Sequence, residues 1–510
     1  MLTRLRVSGF KNLVDVDVRF GPFTCIAGPN GVGKSNLFDA ILFLRDLADK
    51  PFVEAAANVR GGEDSTLLFT PGREQMTLIA ELLIPQSGVD EFGQHTNAAS
   101  TLLEYSVTLA LVDAQDGLGK RIALRHERLD YFTKREARRR LAFACSKSWL
   151  DSVLVQSRRG SAYISTDSDS ARVKRHQDHE VLPSKASASG RALEHDLATL
   201  PRTVLSSARN AQENRTAVLA RREMQSWRVL QLEPSAMRRP DDFRAQDHIA
   251  HDGAHLAATL HRLISGKPIT TGVHEGANGD RSDVLARLAN RLSELVSGVR
   301  SVRVERDDER RLVKILLEEA GGAQWPAASL SDGTLRFLAL ALLEEDPRET
   351  GVICMEEPEN GIHPARLDAM LSLLRDIAVD TEYAIGEDNP LRQIIINTHS
   401  PAVAGLVPEA DLLFAEPVEI RSSMPSELLD DDQTRASVAF RPIEGTWRSQ
   451  CDGAQGPVAP GEVLSYLSPT VVEPDPGRGA PARRQRSVRE YVHDQLALDL
   501  DGRDAADEAK

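Results

Sequence analysis

The sequence predicts an α/β fold in which short buried strands alternate with helices around a parallel sheet. Three observations predict it. The apolar run Phe23–Ala27 feeds a glycine-rich loop, Gly28-Pro29-Asn30-Gly31-Val32-Gly33-Lys34-Ser35, which is followed by Leu37, Ile41 and Leu44 at helical spacing. A second apolar run, residues 351–355, ends on Glu356-Glu357-Pro358-Glu359 and precedes a helical stretch, residues 365–377. A third, residues 392–397, ends on Thr398-His399-Ser400-Pro401. Strands buried on both faces read as continuous apolar runs, and their alternation with helices argues for parallel pairing.

In chain order, residues 2–6 and 14–20 alternate apolar and polar around Gly9 and Asn12, which predicts a hairpin. Residues 78–84 and 105–112 read as further strands, and this first lobe is expected to span 1–145. Residues 146–300 are expected to form a mainly helical insertion. Within it, 156–190 is rich in Ser, Arg, Asp and His and reads as an exposed or disordered loop. Residues 193–229 read as a long polar helix interrupted at Pro201, with shorter helices at 256–264 and 283–299. A second lobe is expected over 301–416, opening on a hairpin at 302–317 and continuing with a helix at 334–343. Residues 417–510, with their Pro, Ser, Asp and Gly, are expected to be an extended, poorly ordered tail.

Composition narrows the function classes. A chain of 510 residues, 41% apolar and 27% charged, reads as a globular protein of about two to four domains. It has no apolar run long enough to span a bilayer and no secretory h-region. Its four cysteines form no CxxC pair, which suits buried thiols in a reducing, cytoplasmic setting. A net charge of -14 does not favour wholesale nucleic-acid binding, although a local basic groove remains compatible with it.

The motifs carry the chemistry. Residues 28–35 fit G-x-x-x-x-G-K-S between a strand and a helix, so backbone N–H groups and a helix N-terminus face a phosphate. Asn30, Gly31, Gly33, Lys34, Ser35 and Asn36 are the expected nucleotide-binding set. Lys34 would reach the β- and γ-phosphates, and Ser35 would place its hydroxyl on Mg²⁺. Glu356 and Glu357 end a buried strand, the first suited to hold the metal and the second to polarise an attacking water. Leu330-Ser331-Asp332-Gly333-Thr334 sets a serine and a glycine before a helix, presenting Ser331 and backbone N–H groups to an anion; alone it would be an ordinary N-cap. His399, after a buried strand, is a candidate γ-phosphate contact.

These residues, together with Ser8-Gly9-Phe10-Lys11-Asn12-Leu13, resemble the ABC-type ATPases of the SMC and RecF group, and especially the AAA family ATPases related to the OLD proteins. The resemblance covers both ends of residues 1–415. It implies a P-loop NTPase with an ABC-type two-lobed ATPase head, using ATP and Mg²⁺. In such heads two chains sandwich two nucleotides, each between the glycine loop of one chain and Ser331 and Gly333 of the other. On that likeness Glu356 matches the metal-site carboxylate, Glu357 the catalytic base and His399 the switch histidine. The metal-site residue is usually Asp, so Glu356 is one methylene longer. The family's Q-loop glutamine has no clear counterpart; Gln75 and Gln86 are candidates. No heptad run of coiled-coil length is visible, nor an acidic cluster resembling the Toprim nuclease of OLD proteins, so a nuclease partner would be another chain.

Two further segments suggest partners. The basic run 134–140, Lys-Arg-Glu-Ala-Arg-Arg-Arg, with Arg158, Arg159, Lys174 and Arg175, is either a DNA phosphate contact or a solvated helix face. Gln495-Leu496-Ala497-Leu498-Asp499-Leu500 resembles the sliding-clamp-binding hexapeptide, or ends an amphipathic helix. The reading reached is an ATP hydrolase acting as a dimeric clamp or switch in a DNA-linked process, anti-phage defence or repair, with a partner effector. The alternative is an ATP-binding scaffold with negligible turnover. A transporter ATPase is disfavoured by Asp332, and a GTPase by the lack of an Asn-Lys-x-Asp motif.

Overall fold

The structure is a computed structural model, and it describes residues 1–114, 119–156, 161–167, 169–178, 193–266, 278–296, 298–419, 436–453 and 456–467. The chain opens with the expected hairpin, β1 (Leu2–Phe10) and β2 (Leu13–Arg19). β3 (Phe23–Ala27) then leads through the glycine loop into α1 (Lys34–Leu47) and α2 (Phe52–Ala57). β4 (Gln75–Leu83) pairs with β1. A small separate hairpin, β5 (Ser87–Val89) and β6 (His95–Asn97), precedes the long pair β7 (Leu102–Asp113) and β8 (Lys120–Tyr131). After α3 (Lys134–Arg140) and α4 (Lys147–Val153) come β9 (Ile164–Asp167), β10 (Arg172–Arg175) and β11 (Leu193–Asp196). Together these make an antiparallel sheet of order β11-β10-β9-β8-β7-β4-β1-β2.

The chain continues with α5 (Ala211–Gln225), β12 (Arg228–Leu230), α6 (Pro234–Met237), β13 (Asp241–Asp242), α7 (Leu256–Ser265) and α8 (Asn278–Leu295). The hairpin β14 (Val299–Asp307) and β15 (Leu312–Glu319), with β16 (Gln324–Pro326), forms a small sheet that includes β13. Then follow α9 (Asp332–Glu345), β17 (Gly351–Glu356), α10 (Leu367–Ile377), β18 (Arg392–Thr398), α11 (Pro401–Leu406), β19 (Leu412–Glu419), β20 (Ala436–Pro442) and α12 (Pro460–Leu467). The central sheet has the order β12-β17-β18-β3-β19-β20, parallel throughout except for β20.

This central sheet is covered on both faces. All of β18 is buried. Ile395 belongs to one core with Leu37, Ile41 and Leu44 of α1 and with Leu5 and Leu78 of the antiparallel sheet. Ile394 and Ile396 belong to the other, with Leu338 of α9 and Leu371 and Leu374 of α10. Alternate residues of one strand thus enter two hydrophobic cores, and Met1–Leu467 form one unit. Among the described residues, no helix is long and apolar enough to cross a membrane.

Three expectations need correction. Residues 193–229 are not one long helix. Leu193–Asp196 pairs antiparallel with β10, and the helix starts only at Ala211, where Asn210 accepts a hydrogen bond from Gln212 N and caps it. The block 146–300, expected to be a mainly helical insertion, also contributes strands, because β9, β10 and β11 extend the first sheet and β12 is an edge of the central one. These strands are three or four residues long, too short to leave a periodicity. Finally, the segment after 416 is not wholly loose. β20 pairs with β19 from Ala436 to Pro442 and buries Val438 and Phe440, a short apolar patch diluted by its polar surroundings. Residues 495–500, Arg158 and Arg159 lie outside the described residues.

Candidate active site

In a parallel sheet, ligands gather beyond the carboxyl ends of the strands, where neighbouring connections diverge. Four such ends meet here. β3 ends in the glycine loop, β17 in Glu356 and Glu357, β18 in Thr398 and His399, and β12 in Gln231. Between them lies a cleft of about 540 Å³, lined by Asn30, Gly31, Gly33, Lys34, Ser35 and Asn36 on one side and Glu356 and Glu357 on another.

The loop is shaped by close approaches. A Cβ on Gly28 would stand 2.4 Å from the Ala415 carbonyl of β19. Gly33, at φ 114°, caps α1 in a left-handed conformation and lies against Asn12, whose side chain would meet a Cβ at 2.4 Å. Asn12 in turn donates to Val32 O at 2.9 Å and accepts from Asn36 Nδ2 at 2.8 Å. The hairpin tip between β1 and β2 therefore braces the loop. Lys34 is 6% exposed, and its ammonium donates to the Gly28 and Pro29 carbonyls at 2.6 and 2.7 Å. Burial pulls its pKa down, while the charges of Glu357, Glu359 and Glu356 oppose that fall.

Glu357 is held firmly. Its backbone adopts φ 48°, the left-handed region that costs a non-glycine residue about 1–2 kcal/mol. Its N–H donates to Asn397 O at 3.0 Å and to Asn397 Oδ1 at 3.2 Å. Its carboxylate accepts from Asn360 Nδ2 at 2.9 Å and lies 2.7 Å from His399 Nδ1. Burial works to raise the Glu357 pKa, but the hydrogen bonds from Asn360 and His399 and the nearby charges outweigh it, and the net shift is downward. An ionised carboxylate at this distance makes Nδ1 the protonated nitrogen of His399.

Of the predicted residues, His399 is 42% exposed and reaches the cleft through Glu357 rather than lining it. Ser331 and Gly333 do not line it either. Ser331 is exposed and caps α9, accepting from Thr334 N at 3.2 Å. Gly333 packs against the turn after β17, where a Cβ would stand 2.7 Å from Gly361 O. Neither glutamine candidate reaches the cleft. Gln75 is exposed at the start of β4, and Gln86 donates to Ser152 O. The glutamine that lines it is Gln231, whose N–H donates to His251 O at 2.7 Å. Its short strand was hidden inside a segment that read as helix. Asn360, Asn397, Glu233 and Arg336 also line the cleft. Arg60 was likewise missed, since it belongs to no motif. It donates to Ser35 O at 3.0 Å, Glu356 Oε1 at 3.3 Å and Asp39 Oδ1 at 3.0 Å.

The donor set fits Mg²⁺ held jointly with phosphate. Among the described residues no group of three or more His, Cys, Asp and Glu is placed to hold a metal. Ser35 and Glu356 both line the cleft, and Mg²⁺ is commonly held by one or two protein oxygens plus substrate phosphates and water. The basic run forms α3, with a capping box between Thr133 and Glu136. Arg139 and Arg140 line a second cleft of about 440 Å³ with Arg4 and Arg19, although Arg140 and Arg4 are paired with Glu81.

Comparison with known proteins agrees with this geometry. Residues 23–405 match the family described as "AAA domain, putative AbiEii toxin, Type IV TA system". The OLD nuclease of Thermus scotoductus is 51% identical over 41 residues, 8% of this chain and 8% of that protein. The DNA replication and repair protein RecF of Porphyromonas gingivalis is 35% identical over 85 residues, 16% of this chain and 23% of that protein. The chain thus matches less than a quarter of the length of either relative. Among solved structures, the Smc head bound to the C-winged helix domain of ScpA aligns over 87% of this chain and 98% of that chain, at 15% identity and a TM-score of 0.44. The SMC head domain from Thermotoga maritima aligns over 87% and 99%, at 12% identity and a TM-score of 0.34. With a family match over residues 23–405, more than half its length, the chain belongs to that AAA-domain family, and segments of it are similar to the OLD nuclease and RecF.

Proposed function

We propose that this chain binds ATP with Mg²⁺ in the cleft and hydrolyses it at the interface of a head-to-head dimer. One observation carries the reading. Lys34, Ser35, Gln231, Glu356 and Glu357 line one cleft, whereas Ser331 and Gly333, the remaining motif residues expected to bind phosphate, stand outside it at the start of α9. A second chain offering its own Ser331 and Gly333 would complete the site.

In this reading the glycine-loop N–H groups and Lys34 would hold the phosphates, and Ser35 and Glu356 would hold Mg²⁺, which would supply charge neutralisation for the phosphates. Gln231 stands beside them. Glu357 takes the proton of the attacking water as the bond to the γ-phosphorus forms and the bond to ADP breaks. His399 holds that carboxylate in place. Binding energy closes the dimer and hydrolysis reopens it, which makes the protein a nucleotide-gated clamp or switch. Its kinship supports a DNA-linked task, anti-phage defence or repair, with a separate effector such as a nuclease. DNA would meet the exposed cations of α3.

The test is ATP turnover by the purified chain with and without linear duplex DNA, beside Lys34→Ala. Turnover raised by DNA and lost in the variant supports the full reading. Turnover indifferent to DNA removes the DNA trigger. ATP binding without turnover supports the scaffold alternative.

A further inference from the structure

We propose that Glu359 is a positioning residue for hydrolysis: through Thr398 it fixes the loop that carries His399 against Glu357. The inference rests on the ATPase reading above and concerns residues that do not line the cleft.

Thr398 is the last residue of β18 and fully buried. Its hydroxyl donates to Glu359 Oε1 and accepts from Ser400 N at 2.9 Å. A hydroxyl has one proton to give, so the donation to Glu359 fixes its direction and leaves its lone pairs for Ser400. His399 lies between these two residues, and its backbone is therefore clipped on both sides. Ser400 then caps α11, accepting from Val403 N at 3.5 Å. On the neighbouring strand, Glu359 belongs to the turn that begins with the left-handed Glu357. That turn is closed by Asn360 N to Glu357 O and by Ile362 N to Glu359 O, both at 3.0 Å. One carboxyl thus joins the loop bearing the histidine to the turn bearing the base.

Glu359 is 9% exposed, and its second oxygen, Oε2, has no hydrogen-bond partner among the described residues. Leaving a buried carboxyl oxygen unpaired works against stability. Packing alone would favour an apolar side chain here. Burial also pushes its pKa up. The cost is consistent with a side chain kept for the acceptor it offers Thr398.

The experiment compares Glu359→Ala, Glu359→Gln and Thr398→Val with the wild-type chain. Glu359→Ala and Thr398→Val should lower kcat by about tenfold, the worth of one lost buried hydrogen bond, while the KM for ATP moves less than about threefold. Glu359→Gln, whose amide oxygen still accepts from Thr398, should restore most of the rate. At fixed pH, the imidazole resonances of His399, assigned with His399→Gln, should shift in Glu359→Ala and Thr398→Val but stay in place in Glu359→Gln. Unchanged kcat and unchanged resonances in Glu359→Ala would overturn the proposal, as would equal losses in the Ala and Gln variants. If the wild-type chain shows no turnover, the ATPase reading fails, and the His399 resonances alone still decide whether Glu359 positions that loop.

Discussion

Replacing Glu357 with glutamine separates catalysis from binding and folding, and its consequences can be worked through side chain by side chain. The amide keeps the size of the carboxylate, and its oxygen still accepts from Asn360. The backbone anchor to Asn397 and the left-handed φ are untouched. The contact with His399 loses its charge, but the Glu357 side chain is 29% exposed and that of His399 42%, so screening leaves well under about 1 kcal/mol of stability at stake. The unfolding midpoint should move by no more than about 2 °C. Proton transfer by a positioned base contributes about 10²–10⁴ in rate, or roughly 3–6 kcal/mol at about 1.4 kcal/mol per tenfold. Glu357→Gln should therefore lose at least about a hundredfold in kcat while ATP affinity stays within about threefold. Phosphate release under saturating ATP, beside equilibrium binding of a fluorescent ATP analogue, measures both. A kcat within about threefold of the wild-type value would refute Glu357 as the base.

Two other perturbations follow from contacts on the page. Arg60→Ala removes the guanidinium shared by Asp39, Ser35 O and Glu356, and should raise the Mg²⁺ concentration needed for half-maximal turnover; an unchanged Mg²⁺ dependence would take Arg60 out of the metal site. Glu127 of β8 is fully buried, accepts from Val204 N, Leu205 N and the Tyr105 hydroxyl, and is pushed up to about 7 by burial. A carboxyl with a raised folded-state pKa binds more protons when folded. Its contribution to stability is thus fully present below the unfolded-state value near 4.5 and falls as pH rises to about 7, by at most about 1.4 kcal/mol per unit. The denaturant midpoint of the wild-type chain should accordingly fall relative to that of Glu127→Gln between pH 5 and 8, and parallel curves would contradict the assignment.

Sequence alone determined whatever is local. Residues 23–27, the glycine loop, the two carboxylates and the hairpin at 302–317 are each set by neighbours within a few positions, through strand patterning, glycine conformation and helix capping. They were legible for that reason, and so was the parallel sheet that follows from their alternation. Tertiary structure decided what depends on pairing between distant segments. Residues 228–230 become a strand because β17 offers an open edge, and only then does Gln231 arrive at the cleft. Residues 436–442 close the other edge by pairing with β19, which their own composition did not announce. Arg60 reaches Glu356 across 296 positions of sequence, and Thr398 meets Glu359 only because β17 and β18 lie side by side. Three-residue strands and single side chains leave no period and no motif. Their roles are set by the hydrogen-bonding edges and buried faces that the rest of the fold presents to them.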